Sequence, residues 1–376
     1  MLLILVCVGS ILACAAQPEP ENTLRIGLLA PITGELEYVG QSTIEAATLA
    51  IDALNAEGGL AIGNERWRIE IVTADTEDNA EVAVQAARRL INQEQVVALI
   101  GPQASRNAIP VARVAEQAQI PMISPWSTNP ETTAGKYYVF RAGFIDPFQG
   151  AVIARFAIEE LGMQKAATLY DVASAYNKGL AEVFIEQFER LGGDVVAAET
   201  YTTGTTDFSS HAKVLRESGA DVIFLPNYGN EVPLQVRQLR AAGITADFLG
   251  SDSWATILED DLPLVAGSFY SAHFSPDIEA PAAREFVTAY QNRYNHLPDD
   301  VAALTYDSFG LLVTAITQQG QTTPEAIRDG LSQIVAYPGV TGTISYRGSG
   351  DPVKSVVIMQ VRNNIPAFAY LVEPAP

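Results

Sequence analysis

The sequence predicts an α/β protein built as two doubly wound parallel-sheet lobes joined by three crossovers. Three observations carry that prediction. Short apolar runs of strand length alternate with longer segments of helical periodicity, which is the pattern of βαβ units. The chain has 376 residues, and so long a chain divides into lobes of about 150 to 200 residues, each with its own core. The alternation is laid down twice, before and after residue 143, and two long late helices then have no sheet of their own.

The first repeat begins with Arg25 to Ala30, an apolar run that reads as a buried strand, followed by the exit loop Pro31-Ile32-Thr33-Gly34 with Tyr38 in it. Ser42 and Glu45 have the capping-box spacing, and Ile44, Ala47, Ile51 and Leu54 recur at helical intervals until Gly58-Gly59 stops the helix. Trp67 to Thr73 alternates as a strand and ends at Asp75, and a helix follows from Ala80 to Gln93. Val96 to Ile100 and Ile120 to Ser124 read as buried parallel strands with a short helix between them. Pro110 suits the first position of that helix, which leaves Gly101 to Ile109 as an irregular loop or a widened first turn. Tyr138 to Ala142 is the last strand of this set.

Residues 143–147, with their Gly and Pro, form a crossover into the second set. There the pattern predicts helix Gln149 to Leu161, strand Ala166 to Tyr170, helix Lys178 to Leu191, strand Val195 to Thr200 and helix Phe208 to Glu217. Strand Asp221 to Leu225, helix Val232 to Ala242 and strand Phe248 to Gly250 complete it. Phe269 to His273 then leads back across the hinge. The helices Ala280 to Tyr294 and Val301 to Gln319 need a sheet to cover and are assigned to the first lobe; Val340 to Tyr346 crosses a third time, and Val353 to Val361 finishes in the second. The expected division is 24–143 with 274–343 for one lobe and 144–273 with 344–376 for the other.

Met1 to Ala16 is apolar and ends Ile11-Leu12-Ala13-Cys14, followed by a polar, proline-containing stretch. The apolar run is too short to span a bilayer as a stable anchor and suits the core of a secretory signal. Residues 1–14 are therefore read as a signal peptide and 15–23 as a tether. A cleaved soluble signal and an uncleaved helix are the alternatives. The only cysteines, Cys7 and Cys14, fall in this leader, so the globule has neither a disulfide nor a thiolate metal site. A net charge of −21 repels phosphates and anionic lipid, which argues against nucleic acid or a charged membrane surface as partner.

The most informative stretch is residues 101–131. Strands of one βαβ unit end on the same sheet edge, where ligands of open α/β sheets collect, so the loops after Ile100 and Ser124 lie side by side. They carry Ser105, Ser127 and Thr128. Hydroxyls and free N–H groups beside a helix N-terminus suit an anion such as a carboxylate.

The motifs Ile-Gly-Pro-Gln-Ala-Ser and Gln-Ile-Pro-Met-Ile-Ser-Pro-Trp-Ser-Thr-Asn-Pro-Glu in this stretch resemble the substrate-binding proteins of branched-chain (Leu/Ile/Val) amino-acid ABC transporters, with the type I periplasmic binding protein fold. The resemblance runs from Leu24 to the end. It implies an extracytoplasmic receptor, expected as a monomer, that captures a small amino acid, branched-chain or otherwise hydrophobic, in an interlobe cleft and delivers it to a permease. It also makes the residues before Cys14 similar to a lipobox, with Cys14 lipidated and the lipid as the chain's only membrane contact. By the same resemblance, Ser105 and Thr128 hold the ligand carboxylate and the backbone around Trp126 meets the ammonium. Asp252 is the acidic partner of that ammonium, Tyr176 closes over the ligand, and Tyr38 and Tyr228 are aromatic positions at the cleft. Asp252 as a helix cap and Tyr228 as core filler are the bland readings.

Trp126 departs from the family pattern, where a small residue is usual. With Trp254 it shrinks the pocket or stacks on an aromatic or cationic ligand, the sign of the second reading being that both indoles face the cleft, and an aromatic wall as ordinary hinge packing is the bland reading. That alternative keeps the fold and changes the ligand to an amide, urea, an aromatic acid or a quaternary amine; another is a sensor acting through a receptor. An enzyme is not expected, nor any cofactor. His211, His273 and His296 are scattered, without metal-ligand spacing, and read as surface or hinge residues. Gly27 to Gly34 lacks the dinucleotide spacing, no P-loop is present, and Gly348-Ser349-Gly350 is not a nucleophile elbow.

Overall fold

The computed structural model describes residues 22–374, so the expectations for Cys14 and the leader lie outside the described residues. The first sheet contains β1 (Asn22–Ala30), β2 (Leu60–Ile62), β3 (Glu65–Asp75), β4 (Ala98–Ile100), β5 (Met122–Ser124) and β6 (Val139–Arg141), in the order β2-β3-β1-β4-β5-β6. Every pairing is parallel except β2 against β3. From Ile26 onward β1 is buried at every position, as a central strand covered on both faces must be. The strand order reverses between β1 and β4. Their exit loops therefore flank a crevice at the carboxyl edge.

Helices α1 (Glu37–Ala56), α2 (Ala80–Asn92) and α3 (Ser105–Ala118) cover this sheet. Two expected helix starts are corrected here. Helix α1 begins at Glu37, so Tyr38 lies in its first turn rather than in a loop, and Ser42 and Glu45 are interior. They do not cap: Ser42 Oγ donates to Asp299 Oδ2 at 2.7 Å and Glu45 accepts from the Tyr290 hydroxyl at 2.6 Å, so their polarity serves tertiary bonds. Helix α3 begins at Ser105, which places Pro110 inside it. Burial of Asn107, Ala108 and Ile109 holds the preceding turn helical despite the N–H that proline withholds from Arg106 O.

The second sheet contains β7 (Lys165–Asp171), β8 (Asp194–Tyr201), β9 (Val222–Leu225), β10 (Asp247–Gly250) and β11 (Phe269–Ala272). Helices α4 (Asp146–Glu159), α5 (Ala175–Arg190), α6 (Ser209–Ser218) and α7 (Val232–Ala241) pack on it. Both α4 and α5 start three residues before the expected positions, the latter capped by Ser174, whose Oγ accepts from Asn177 N. Tyr176 is thereby fixed in a first turn. Phe184 packs on Phe224 with ring centroids 4.3 Å apart and anchors α5 to the sheet.

Helices α8 (Pro281–Tyr294), α9 (Asp300–Gln319) and α10 (Pro324–Ser332) follow, and α8 and α9 pack against α1. A small sheet of β12 (Tyr337–Gly339), β13 (Gly342–Tyr346) and β14 (Pro352–Val353) lies beside β6, with the Tyr346 hydroxyl donating to Arg141 O and Arg141 N donating to Gly350 O. Then β15 (Val356–Arg362) and β16 (Ile365–Val372) extend the second sheet antiparallel, giving the order β16-β15-β11-β10-β9-β7-β8.

The chain passes between the lobes after β6, after β11 and before β15. Polar side chains tie these passages together. Lys354 Nζ donates to Ala142 O, and Asp300, at the start of α9, accepts from His273 N at 2.6 Å and Phe274 N at 3.1 Å. Burial lowers the Lys354 ammonium to about 8 and raises the Asp300 carboxyl.

Candidate functional site

The two carboxyl edges face each other across a small cavity of about 10 Å³, lined by Gln103, Ala104, Ser105 and Trp126 from one side and Tyr176, Tyr228 and Asp252 from the other. Five of the eight predicted binding residues thus meet in one place. The other three, Ser127, Thr128 and Tyr38, lie outside its lining.

The first wall is built on the N-terminus of α3. Gly101 turns the chain off β4 at φ +89°, and a Cβ there would lie 2.1 Å from Leu29 O, so only glycine fits. The N-cap Ala104 has no side chain to cap the helix, and the positive end of α3 opens toward the cavity that Ala104 and Ser105 line. Ser105 Oγ lies 2.8 Å from Ser127 Oγ, which lies 2.8 Å from Thr132 Oγ1. Thr128 Oγ1 and Trp126 Nε1 are buried with no hydrogen-bond partner among the described residues.

Arg141 holds this loop from beneath, donating to Ser127 O at 2.6 Å, Asn129 O at 2.8 Å and Thr133 Oγ1 at 2.8 Å while pairing with Asp351 at 2.7 Å. It is fully buried. Sequence reasoning passed over Arg141, although a lone arginine in the apolar run Val139-Phe140-Arg141-Ala142 was the signal.

In the second wall, Asp252 Oδ1 accepts from Gln149 Nε2 at 2.7 Å and from the Tyr176 hydroxyl at 2.6 Å, and Oδ2 lies 3.3 Å from His273 Nε2. These partners are all side chains. The capping reading of Asp252 therefore has no backbone bond behind it, although the residue opens a 3-10 turn, Asp252–Thr256. Tyr228 packs 6.3 Å from Trp126 and 5.1 Å from Tyr176, and the Arg106 guanidinium, bound to Asp78, sits 4.5 Å over its ring. Asn129 Nδ2 donates across the cleft to Ala175 O at 2.9 Å. These contacts hold the lobes shut around the cavity. Tyr38 has a buried, unpartnered hydroxyl raised to about 12 by burial.

The two tryptophans do not face the cleft together, which the alternative ligand reading requires: Trp254 points away from it. Its indole fills the second lobe's core, donating to Leu225 O at 3.0 Å and lying where a Cβ on Gly250 would be. Trp126 is the sole cavity-lining tryptophan among the described residues.

Three further residues were missed. Gln149 and His273 orient Asp252, and Asp146, in the first turn of α4, is buried with both carboxyl oxygens unpartnered. Burial, reinforced by the Asp252 charge, pushes Asp146 up to about 7. Burial pushes His273 down to about 4, so the ring is neutral at pH 7, stacked 3.7 Å from Phe144. His211 and His296 lie elsewhere, facing Glu199 and Glu45. No group of three or more metal-ligating side chains occurs among the described residues, and no helix among them is long and apolar enough to cross a membrane. What the arrangement can do is bind: a donor-rich end and a carboxylate end face one another with water largely excluded.

Residues 23–365 match the periplasmic binding protein family. An amino acid binding protein of Pseudomonas aeruginosa is 34% identical over 243 residues, 64% of this chain and 63% of that protein. The leucine-, isoleucine-, valine-, threonine- and alanine-binding protein of the same organism is 25% identical across 88% of this chain and 87% of its own length. Among solved structures, the branched-chain amino acid transporter substrate binding protein LivJ of Streptococcus pneumoniae, in complex with isoleucine, superposes with a TM-score of 0.86 at 31% identity, covering 94% of this chain and all of that one.

Proposed function

The chain belongs to the periplasmic binding protein family, and we propose that it is an extracytoplasmic receptor that captures a small amino acid between its lobes and delivers it to an ABC permease. The observation that carries this reading is the interlobe cavity set between the open N-terminus of α3 and the buried carboxylate of Asp252. A zwitterion fits that polarity. Its carboxylate goes to Ser105 and the first-turn N–H groups of α3, with the unpartnered Thr128 hydroxyl behind them coming into reach only as the cleft rearranges around the ligand, and its ammonium goes to Asp252 and the backbone at Trp126. Tyr176 and Tyr228 close over it. Hinging about the three passages opens and shuts the cleft with few residues moving. The names of the relatives support an amino acid as ligand. The rival reading, an aromatic acid or quaternary amine between two tryptophans, loses its second wall because Trp254 belongs to the core.

A thermal-shift panel on refolded protein tests the reading, using the common amino acids together with urea, choline and benzoate. Ligand at a hundred times its Kd stabilises the native state by about 2.7 kcal/mol, so a true ligand raises the melting temperature clearly. A shift with choline or benzoate and none with any amino acid would end the amino-acid reading. We further propose that Cys14 carries a lipid that tethers the receptor to the membrane. Incorporation of labelled fatty acid into the wild type and its loss in Cys14→Ser test this; labelling that persists in the variant removes Cys14 as the site.

A further inference from the structure

Resting on that amino-acid reading, we infer that Trp126 makes the receptor selective for amino acids with small polar side chains, of the size of serine or threonine, and excludes branched aliphatic ones. Two independent observations lead there. The first is space. The Trp126 indole is buried and reaches to within 6.3 Å of Tyr228 on the opposite wall, and the cavity left in this closed form is only about 10 Å³. That is about the room of one water, so a ligand enters only as the lobes part, and each carbon of its side chain has to be housed against the indole. An aliphatic side chain of four carbons has to compete with the indole for the same volume.

The second observation is polarity. Three lining residues carry buried polar atoms with no partner among the described residues: Trp126 Nε1, the Tyr228 hydroxyl and Gln103 Oε1. The amide nitrogen of Gln103 is already committed to Thr43 and Thr305, which leaves its oxygen as the free acceptor. An indole N–H only donates, a phenol does both, and an amide oxygen only accepts. Together they make a polar lining that a ligand hydroxyl satisfies and an aliphatic group leaves unpaired. A site with polar groups to satisfy rejects an analogue lacking the matching group far more strongly than size alone does.

Calorimetric titration of refolded protein with serine, threonine, alanine, valine and leucine reads this directly, on the wild type, Trp126→Ala and Trp126→Phe. The wild type is expected to bind serine or threonine at least 10-fold more tightly than leucine. Trp126→Ala should shift that ratio at least 10-fold toward leucine. Trp126→Phe, which keeps a ring but loses the N–H, should weaken serine and threonine while leucine stays excluded. Leucine binding as tightly as serine in the wild type, or an unchanged ratio in a folded Trp126→Ala, overturns the inference and leaves the amino-acid reading standing. Binding of no amino acid by any of the three overturns both. Should Trp126→Ala fail to fold, the wild-type ratio and Trp126→Phe decide.

Discussion

Replacing Asp252 with asparagine keeps the side chain's volume and removes its charge, which makes Asp252→Asn a direct test of the proposed ammonium site. Gln149 Nε2 and the Tyr176 hydroxyl both donate to Oδ1, at 2.7 and 2.6 Å. An asparagine oxygen keeps both bonds only where its amide nitrogen takes the Oδ2 position, 3.3 Å from His273 Nε2. There it presents N–H groups to a ligand ammonium that needs an acceptor. Losing one partner of a buried, hydrogen-bonded charge pair costs about 2–5 kcal/mol, which at about 1.4 kcal/mol per decade weakens binding roughly 30- to 4,000-fold. The ligand-free protein should not suffer, because a buried carboxylate beside Asp146 is itself expensive to hold. Titration with the best ligand of the amino-acid panel, alongside melting of the ligand-free protein, reads both quantities. Affinity within threefold of wild type, or a loss explained by a ligand-free protein that no longer folds, refutes the reasoning.

Other expectations follow from the same geometry. His273 titrates at about 4 in the folded protein against 6.5 in the unfolded chain, so the unfolded state takes up the proton first. Stability is present above pH 6.5 and is lost as pH falls toward 4. At about 1.4 kcal/mol per pKa unit, the wild type should lose roughly 2–4 kcal/mol relative to His273→Gln between pH 7 and pH 4. Asp146, raised to about 7, works in the opposite direction, favouring the folded state at low pH and losing that contribution as pH rises through 7, so the difference between the two proteins is the quantity to follow; parallel curves would sink the assignment. Gly101→Ala forces a side chain onto φ +89° and into Leu29 O, and should destabilise the fold by at least about 1–3 kcal/mol; an unchanged denaturant midpoint contradicts this. Arg106→Ala removes the guanidinium 4.5 Å over Tyr228, an attraction across the cleft of about 0.5–2 kcal/mol, and should speed ligand release about 2- to 30-fold in stopped-flow fluorescence, whereas an unaltered release rate rules out a latch.

Much of the architecture was legible because β4 and β9 are short and apolar and β1 has an apolar second half, while the intervening helices carry periodic faces. Helix starts were harder to read. The first turns of α3, α4 and α5 are polar or contain proline, yet each buries polar side chains, among them Ser105, Asn107, Asp146 and Asn177. Two hairpins were overlooked despite a local signal. Gly63-Asn64 joins β2 to β3, and Asn363-Asn364, with φ of 52° and 62°, joins β15 to β16 in the left-handed conformation that such two-residue turns demand. At the site, the rule that parallel strands deliver their exit loops to one edge was enough to gather Ser105, Trp126, Tyr176, Tyr228 and Asp252. The direction of a side chain was not readable. Trp254 follows Asp252 by two residues, and only the missing Cβ of Gly250 makes room for its indole in the core. A lone arginine in an apolar run marks Arg141 as buried and paired, but the partners of Arg141 and His273, Asp351 and Asp252, lie at sequence separations that no local pattern announces.

The packing of α9 on α1 sets a timetable for synthesis. About 240 residues separate the end of α1 from the start of α9. At roughly 5–20 residues per second, a ribosome needs about 10–50 s to cover that distance. For that interval α1 waits without the long helix that packs against it. The strands β7 to β11 and their helices are contiguous in the chain and are made within the same interval. The first lobe therefore stays open while most of the second is made, and the second in turn waits for β15 and β16 to finish its sheet.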